Sequence, residues 1–404
     1  MVIDPYKRRL ELLYLAALCL YLMLLFVNQT ELLILLSDRE QALIQKARYL
    51  CYLAFALKLL LTPAYSRKYL LAAALAAGCA VLCVYASHTR KLLFTALAVL
   101  AAYDCDTRKI IRCAGAVFAA GLAATLLLCA AGVLKNVVLD AARNRQNLGF
   151  NWVTLAPIYF LFVSLAYVHW RGARISWLEL LCLFAAAWLL YRATNTRMTF
   201  FLNALFLLVS AVELRLLRSR WSILSALGGR VWLLPFAVAG VVLLVQVLYT
   251  PQSAAWAELD HLLSERLSLG AQSLSQLPVK LFGQQIQWNG FSLDADYLKP
   301  KTGAVYNNVD CSYLRLLLDD GVVGLLLFLS LYAWGMYQAA RAEDYVLVWM
   351  YVLVLLFCIT EQWMMELSFN FLPLAAGGRC RPRPDREPAR RVCFASPAWG
   401  GEAP

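Results

Sequence analysis

LELLYLAALCLYLMLLFV, Leu10 to Val27, is an eighteen-residue run with a single charge. Its reading decides what kind of protein this is. A bilayer core needs about 20 apolar residues per helix, so the run is long enough to span. MVIDPYKRRL precedes it with a basic cluster, but no small-residue cleavage site follows before Asn28. The run therefore reads as a retained span rather than a removable signal. The rest of the chain repeats the pattern. Of 404 residues, 62% are hydrophobic and 15% charged, with a mean hydropathy of +0.63, far from the balance of a soluble domain.

The same yardstick predicts an all-α polytopic membrane protein with about twelve spans. They are Leu10 to Val27, Ala47 to Leu61, Tyr69 to Ala86, Leu92 to Tyr103, Ile110 to Leu134, Trp152 to His169, Ile175 to Tyr191, Met198 to Leu214, Val231 to Tyr249, Gly321 to Tyr337, Tyr345 to Ile359 and Trp363 to Ala376. Residues 1–376 form the membrane domain in this reading. Lys7, Arg8 and Arg9, Arg67 and Lys68, Arg108, Lys109 and Arg112, Arg171 and Arg174, and Arg215, Arg218, Arg220 and Arg230 fall in alternate short loops. The positive-inside bias makes these loops cytoplasmic, with both termini inside.

A net charge of +12 would suit nucleic acid. The basic residues, however, sit in short loops between apolar runs, so their partner is membrane lipid. The twelve Cys lie mostly inside apolar runs and make no C-x-x-C pair; Cys79 and Cys83 are the nearest regular pair. His88, His169 and His261 stand in different segments. Neither a metal centre nor a disulfide frame is expected, and no cofactor.

Two segments break the rhythm. Residues 250–312 form a long hydrophilic excursion on the predicted outer face, where ELDHLLSERLSLGAQSLSQLPVKLF carries apolar residues at helical spacing. Amphipathic helices lying against the membrane are expected there, and a loop this long is usually functional. Residues 377–404 are rich in Arg and Pro without helical period. They read as a disordered tail and raise the suspicion of a frameshifted end.

The candidate chemistry gathers on the predicted outer face. LDAARNRQNLGFNW places Arg143 and Arg145 beside Gly149 and Asn151, between two apolar runs. Arg197 opens a span after Thr194, Asn195 and Thr196, and Arg266 stands on a predicted helix of the long loop. Each alone reads as an interfacial anchor or a solvated face. Together they suit the oxygens of a diphosphate-bearing lipid, because guanidinium offers phosphate a planar fork. Asn307, Asn308, Asp310, Ser312 and Tyr313 crowd the entrance of the next span. They read either as a turn and helix cap or as polar groups for sugar hydroxyls. Asp319 and Asp320 are costly near a membrane unless they reach a polar cavity or the surface.

R-x-x-L-G-F (Arg145 to Phe150), T-x-T-R (Thr194 to Arg197), L-x-x-L-L-S-x-R-L (Leu259 to Leu267), L-F-G (Leu281 to Gly283), V-D-x-S-Y-L (Val309 to Leu314) and D-G-V-V-G-L (Asp320 to Leu325) follow in order. That series, from Leu139 to Pro373, resembles the O-antigen and capsule polymerases, the Wzy-type enzymes within the O-antigen polymerase/ligase superfamily. Glu361 and Asn370 look like the family's closing element, from which the Arg/Pro tail departs.

The resemblance implies a bacterial cytoplasmic-membrane glycosyltransferase that joins undecaprenyl-diphosphate-linked oligosaccharide repeats on the outer face. A flippase and a chain-length regulator would be its partners. Arg143, Arg145, Arg197 and Arg266 become candidates to hold the departing diphosphate, and Asp310 the candidate base or sugar-orienting group. Two alternatives stand beside it. An O-antigen ligase would carry an outer-loop His near Asn308 and Asp310, whereas only His261 is present. A lipid-linked oligosaccharide flippase or other transporter would place internal repeats and polar groups near the membrane centre.

Overall fold

Apolar runs too long for ordinary loops leave the backbone one economical solution in lipid, which is to satisfy its polar groups internally as helix. The computed structural model describes residues 4–140, 145–216, 230–290 and 307–381, and these are mostly helical. In chain order the helices are α1 (Pro5–Val27), α2 (Leu32–Leu35), α3 (Asp38–Leu61), α4 (Arg67–Ser87), α5 (Lys91–Ala101), α6 (Thr107–Ala130), α7 (Leu155–Arg171), α8 (Trp177–Thr194), α9 (Arg197–Ala211), α10 (Leu234–Leu248), α11 (Ala254–Leu262), α12 (Arg266–Gln276), α13 (Ser312–Asp319), α14 (Gly321–Arg341), α15 (Tyr345–Thr360) and α16 (Leu372–Gly377). A small antiparallel pair, β1 (Val138–Asp140) with β2 (Arg145–Gln146), lies between α6 and α7.

Among the described residues, seven helices are long and apolar enough to cross a membrane: α1, α4, α6, α8, α9 with its π-helical extension, α10 with the turn before it, and α14. These mark a membrane protein. Four more of the expected spans correspond to α3, α5, α7 and α15. α3 begins well before the expected Ala47, because Ser37 and Glu40 close a reciprocal capping box on its first turn.

The expected twelfth span, Trp363 to Ala376, is different. It forms an irregular segment ending in the six-residue α16. Asn370 donates to Tyr332 Oη (2.8 Å) and the Met364 carbonyl (2.9 Å), and accepts from Leu372 N (3.2 Å). Phe369 and Phe371 are fully buried, with ring centroids 5.9 and 5.7 Å from Phe162. The apolar composition that imitates a span is thus spent on filling the centre of the bundle.

The bundle packs α6 against α7, α1 against α3 and α6, and α14 against α15 and α16. Alternating helix direction brings the ends near Val27, Lys91, Thr194, Leu248, Gly321 and Thr360 to one side, which also carries α11 and α12. The first tail residues dock at the other end: Arg379 N donates to the Cys105 carbonyl (2.7 Å) and Arg108 to that of Arg381 (2.9 Å). Residues 382–404 lie outside the described residues, and with them most of the expected disordered tail.

Two of the quoted motifs meet in space. Gln284 N donates to the Asp319 carbonyl (3.1 Å), while Val322 N and Val323 N donate to the carbonyls of Lys280 and Leu281 (3.1 and 3.0 Å). Gly283 and Gly321 face one another with φ of +86° and +76°. A methyl on Gly321 would strike the Gly283 amide, and one on Gly283 the Asp319 carbonyl. Gly321→Ala should therefore cost about 1 to 3 kcal/mol in backbone strain alone. Lowered thermal stability of the detergent-solubilised protein would show it, and an unchanged transition would contradict the clasp.

Candidate functional site

The opening around Gly149 is a tight turn. Gly149 has φ +81°, a conformation glycine adopts without Cβ strain, and Asn147 braces it from inside. Fully buried, Asn147 accepts from Val137 N (2.8 Å) and donates to the Phe150 carbonyl (2.8 Å). Asn151 ties the turn to the end of α1, donating through Nδ2 to the Asn28 carbonyl (2.7 Å). These residues act as a bracket. What the bracket presents is Arg145, whose Nε donates to the Thr194 carbonyl (3.4 Å) and whose charge reaches the Glu361 carboxyl. Arg143 lies outside the described residues.

Arg266 arrives from the long loop. Left-handed Ser264 and Glu265 (φ +57° and +62°) reverse the chain between α11 and α12. Asp260 then fixes the start of α12 by accepting from Leu267 N (2.8 Å) and Ser268 N (3.2 Å), while Tyr249 Oη donates to its other oxygen (3.2 Å). The guanidinium so placed lies 3.3 Å from Asp310 and 3.8 Å from Glu361. Its Nε is buried without a hydrogen-bond partner among the described residues.

A second guanidinium, Arg315, was not singled out in the sequence. It contacts Asp319 at 2.6 Å, Asn308 at 2.9 Å and Gln362 at 2.9 Å, and lies 4.0 Å over the Trp288 ring. Trp288 in turn donates to Asp319 (2.7 Å). The distances separate the two roles. Charge-assisted N–H···O bonds run at about 2.7 to 2.9 Å, so Arg315 is fully engaged. Arg266, at 3.3 and 3.8 Å, is held near its carboxylates without being saturated by them. A signal for Arg315 was present: Ser312, Arg315 and Asp319 share one face of a short helix at spacings of three and four.

Electrostatics sharpen the picture. Burial pushes the Glu361 carboxyl up to about 7, with the Asp310 charge adding to the rise; Arg266, the Trp363 indole and Arg145 pull the other way. Burial also raises Asp310, against Arg266, Arg315 and an Nδ2–H bond from Asn308 (3.0 Å). Asp320, only 4% exposed, is pushed to about 7 by burial and by Asp319, which answers how two adjacent carboxyls persist here. Asp319 is paired, and Asp320 is shifted toward its neutral form.

The other predicted residues take varied places. Asn307 clasps the loop, accepting from Asn289 N (2.6 Å) and donating to the Gln287 carbonyl (3.1 Å). Asn308 orients Asp310 and Arg315. Ser312 and Tyr313 are buried. The Ser312 hydroxyl accepts from Met364 N (3.1 Å), and Tyr313 Oη donates to the Leu355 carbonyl (2.7 Å). Both position the segment rather than face a sugar. Arg197 is exposed at the first turn of α9 and makes no hydrogen bond or ion pair among the described residues. The T-x-T-R segment thus offers Arg145 a carbonyl from Thr194, and the expected convergence of three arginines reduces to Arg145 and Arg266. His261 is exposed on α11.

Comparison with protein-family models, curated proteins and solved structures finds no match. Among the described residues, no group of three His, Cys, Asp or Glu is placed to hold a metal ion.

Asp260 gives a test of how the site is positioned. Asp260→Ala removes the acceptor that starts α12 and should lower thermal stability by about 0.5 to 2 kcal/mol. Asp260→Asn keeps an acceptor oxygen and should retain most of that stability. Equal losses for both would assign Asp260 a role other than capping.

Proposed function

We propose that this chain is a glycosyltransferase that polymerises undecaprenyl-diphosphate-linked oligosaccharide repeats into a surface polysaccharide, with its loop-bearing end at the outer face of a bacterial cytoplasmic membrane. The observation that carries the reading is Arg266 standing between the Asp310 and Glu361 carboxyls, with the charge of Arg145, from a distant segment, reaching Glu361.

The chemistry would run as follows. A sugar hydroxyl of the incoming repeat attacks the anomeric carbon of the growing chain. The bond from that carbon to the diphosphate oxygen breaks, and its electron pair leaves with the diphosphate. Preplaced guanidinium groups favour the leaving charge more in the transition state than in the ground state. The hydroxyl proton passes to a carboxylate, for which Asp310, beside the less saturated arginine, is the assigned base. Arg145 and Arg266 hold the diphosphate; Glu361 shares the proton inventory with Asp310; Arg315, Asn308 and Asp260 position them.

Deleting the gene distinguishes the polymerase reading from its neighbours. Loss of a polymerase should leave single repeats and no ladder of longer chains. Loss of a ligase should instead leave long chains on undecaprenyl diphosphate. Loss of a flippase should trap single repeats on the cytoplasmic side. Either of the last two outcomes would overturn the assignment.

A further inference from the structure

A separate cavity of about 430 Å³ opens between α1, α3, α5 and residues 365–367. Its charge is unusual for an interhelical cleft. Arg48 lines it with no ion pair among the described residues. Lys91, half exposed, enters from the start of α5 and pairs with Glu366 at 2.6 Å. Gln29 and Gln45 add amides to the wall, with Gln29 reaching Ser368 (3.5 Å). Tyr52 is stacked on Phe94, centroids 4.0 Å apart and planes 4° from parallel.

From these features we infer that the cavity holds the phosphate and first sugar of a second lipid-linked glycan, the acceptor of the proposed transfer. Arg48 supplies the phosphate fork, and Lys91, with one N–H already held by Glu366 at 2.6 Å, adds a point charge from a second helix. The amides suit sugar hydroxyls, and the flat Tyr52/Phe94 pair offers an apolar wall for a sugar face. An ordinary phospholipid headgroup would need the cations but neither the amides nor the aromatic wall. Both substrates of a polymerase carry lipid diphosphate, so two anion sites are a requirement of such chemistry. One short segment joins them: Glu361 faces Arg266, while Met365, Glu366 and Leu367 line the cavity. This inference rests on the polymerase reading for the ligand's identity, though not for the existence of an anion site.

The test is ligand counting by native mass spectrometry on the full-length protein, with undecaprenyl diphosphate as probe and phosphatidylglycerol as competitor. Two bound equivalents are expected. Arg48→Gln should weaken one of them about tenfold, and Gln45→Trp, which fills the cavity while keeping every charge, should do the same. Arg266→Gln should weaken only the other. One equivalent insensitive to both cavity variants would overturn the inference, as would full displacement of the cavity equivalent by phosphatidylglycerol, which would make it a general lipid site. Glycan transfer with a silent cavity would reject this inference alone. Two specific equivalents without transfer would keep the anion site and reject the polymerase reading.

Discussion

Arg266→Lys should reduce polymer formation about 10²- to 10³-fold, the loss of roughly 2 to 4 kcal/mol of transition-state stabilisation, while the protein still inserts and accumulates. Lysine keeps the charge but loses the planar fork that spans two phosphate oxygens. The alternative role for Arg266 is a structural bridge between Asp310 and Glu361. Its separations of 3.3 and 3.8 Å make that bridge weak, so a lysine would serve a purely structural purpose nearly as well. Near-normal ladders of lipid-linked glycan for Arg266→Lys would therefore remove it from the diphosphate site. Arg315→Lys is the contrasting case. Its tight contacts with Asp319, Asn308 and Gln362 predict loss of protein stability together with activity. Arg197→Lys should be close to silent, because Arg197 is exposed and makes no contact with the cluster.

The second large effect concerns protons. Asp310→Asn keeps shape and hydrogen bonding but removes the basic oxygen, and should cost about 10²- to 10⁴-fold in rate. In the unaltered protein the two carboxyls titrate as an interacting pair. Burial raises both, Glu361 to about 7, and the active form carries Asp310 deprotonated where the base must act. Transfer should therefore begin to fall, as pH drops, above the pH near 4 of an ordinary carboxylate. The raised Glu361 takes the first proton and is neutral when Asp310 titrates, so Glu361→Gln should leave the acid limb of the profile nearly in place. An acid limb that moves to lower pH in Glu361→Gln would make Glu361, not Asp310, the group whose proton sets it. A normal rate for Asp310→Asn would leave Asp310 as a structural acceptor for Asn308 and Arg266.

Much of this was legible in the sequence, for identifiable reasons. Bilayer thickness imposes a length on apolar runs, so most helices could be placed to within a few residues. The failure at Trp363 to Ala376 has a physical cause: buried Phe369 and Phe371 in a bundle core read like residues facing lipid, and only Glu366, Asn370 and Pro373 hinted at irregular chain. Arg266 and Asp310 stood out because polar residues in a long loop are conspicuous beside apolar spans. Arg315 was hidden by its leucine neighbours and visible only through its helical spacing with Ser312 and Asp319. Arg197 could not be ranked from sequence, since the direction of a side chain on a first helical turn depends on packing elsewhere. The cavity beside Arg48 draws on α1, α3, α5 and residues 365–367, a conjunction no local pattern encodes.

The most direct measurement is glycan transfer by the purified protein in liposomes supplied with undecaprenyl-diphosphate-linked repeats, without nucleotide sugar or ion gradient. Lipid-linked products are resolved by length and free undecaprenyl diphosphate is counted. The predicted result is a ladder of longer chains with one undecaprenyl diphosphate released per linkage formed, abolished by Asp310→Asn. Unlengthened substrate, or its movement across the bilayer with no linkage made, would contradict a transfer site at Arg145, Arg266, Asp310 and Glu361.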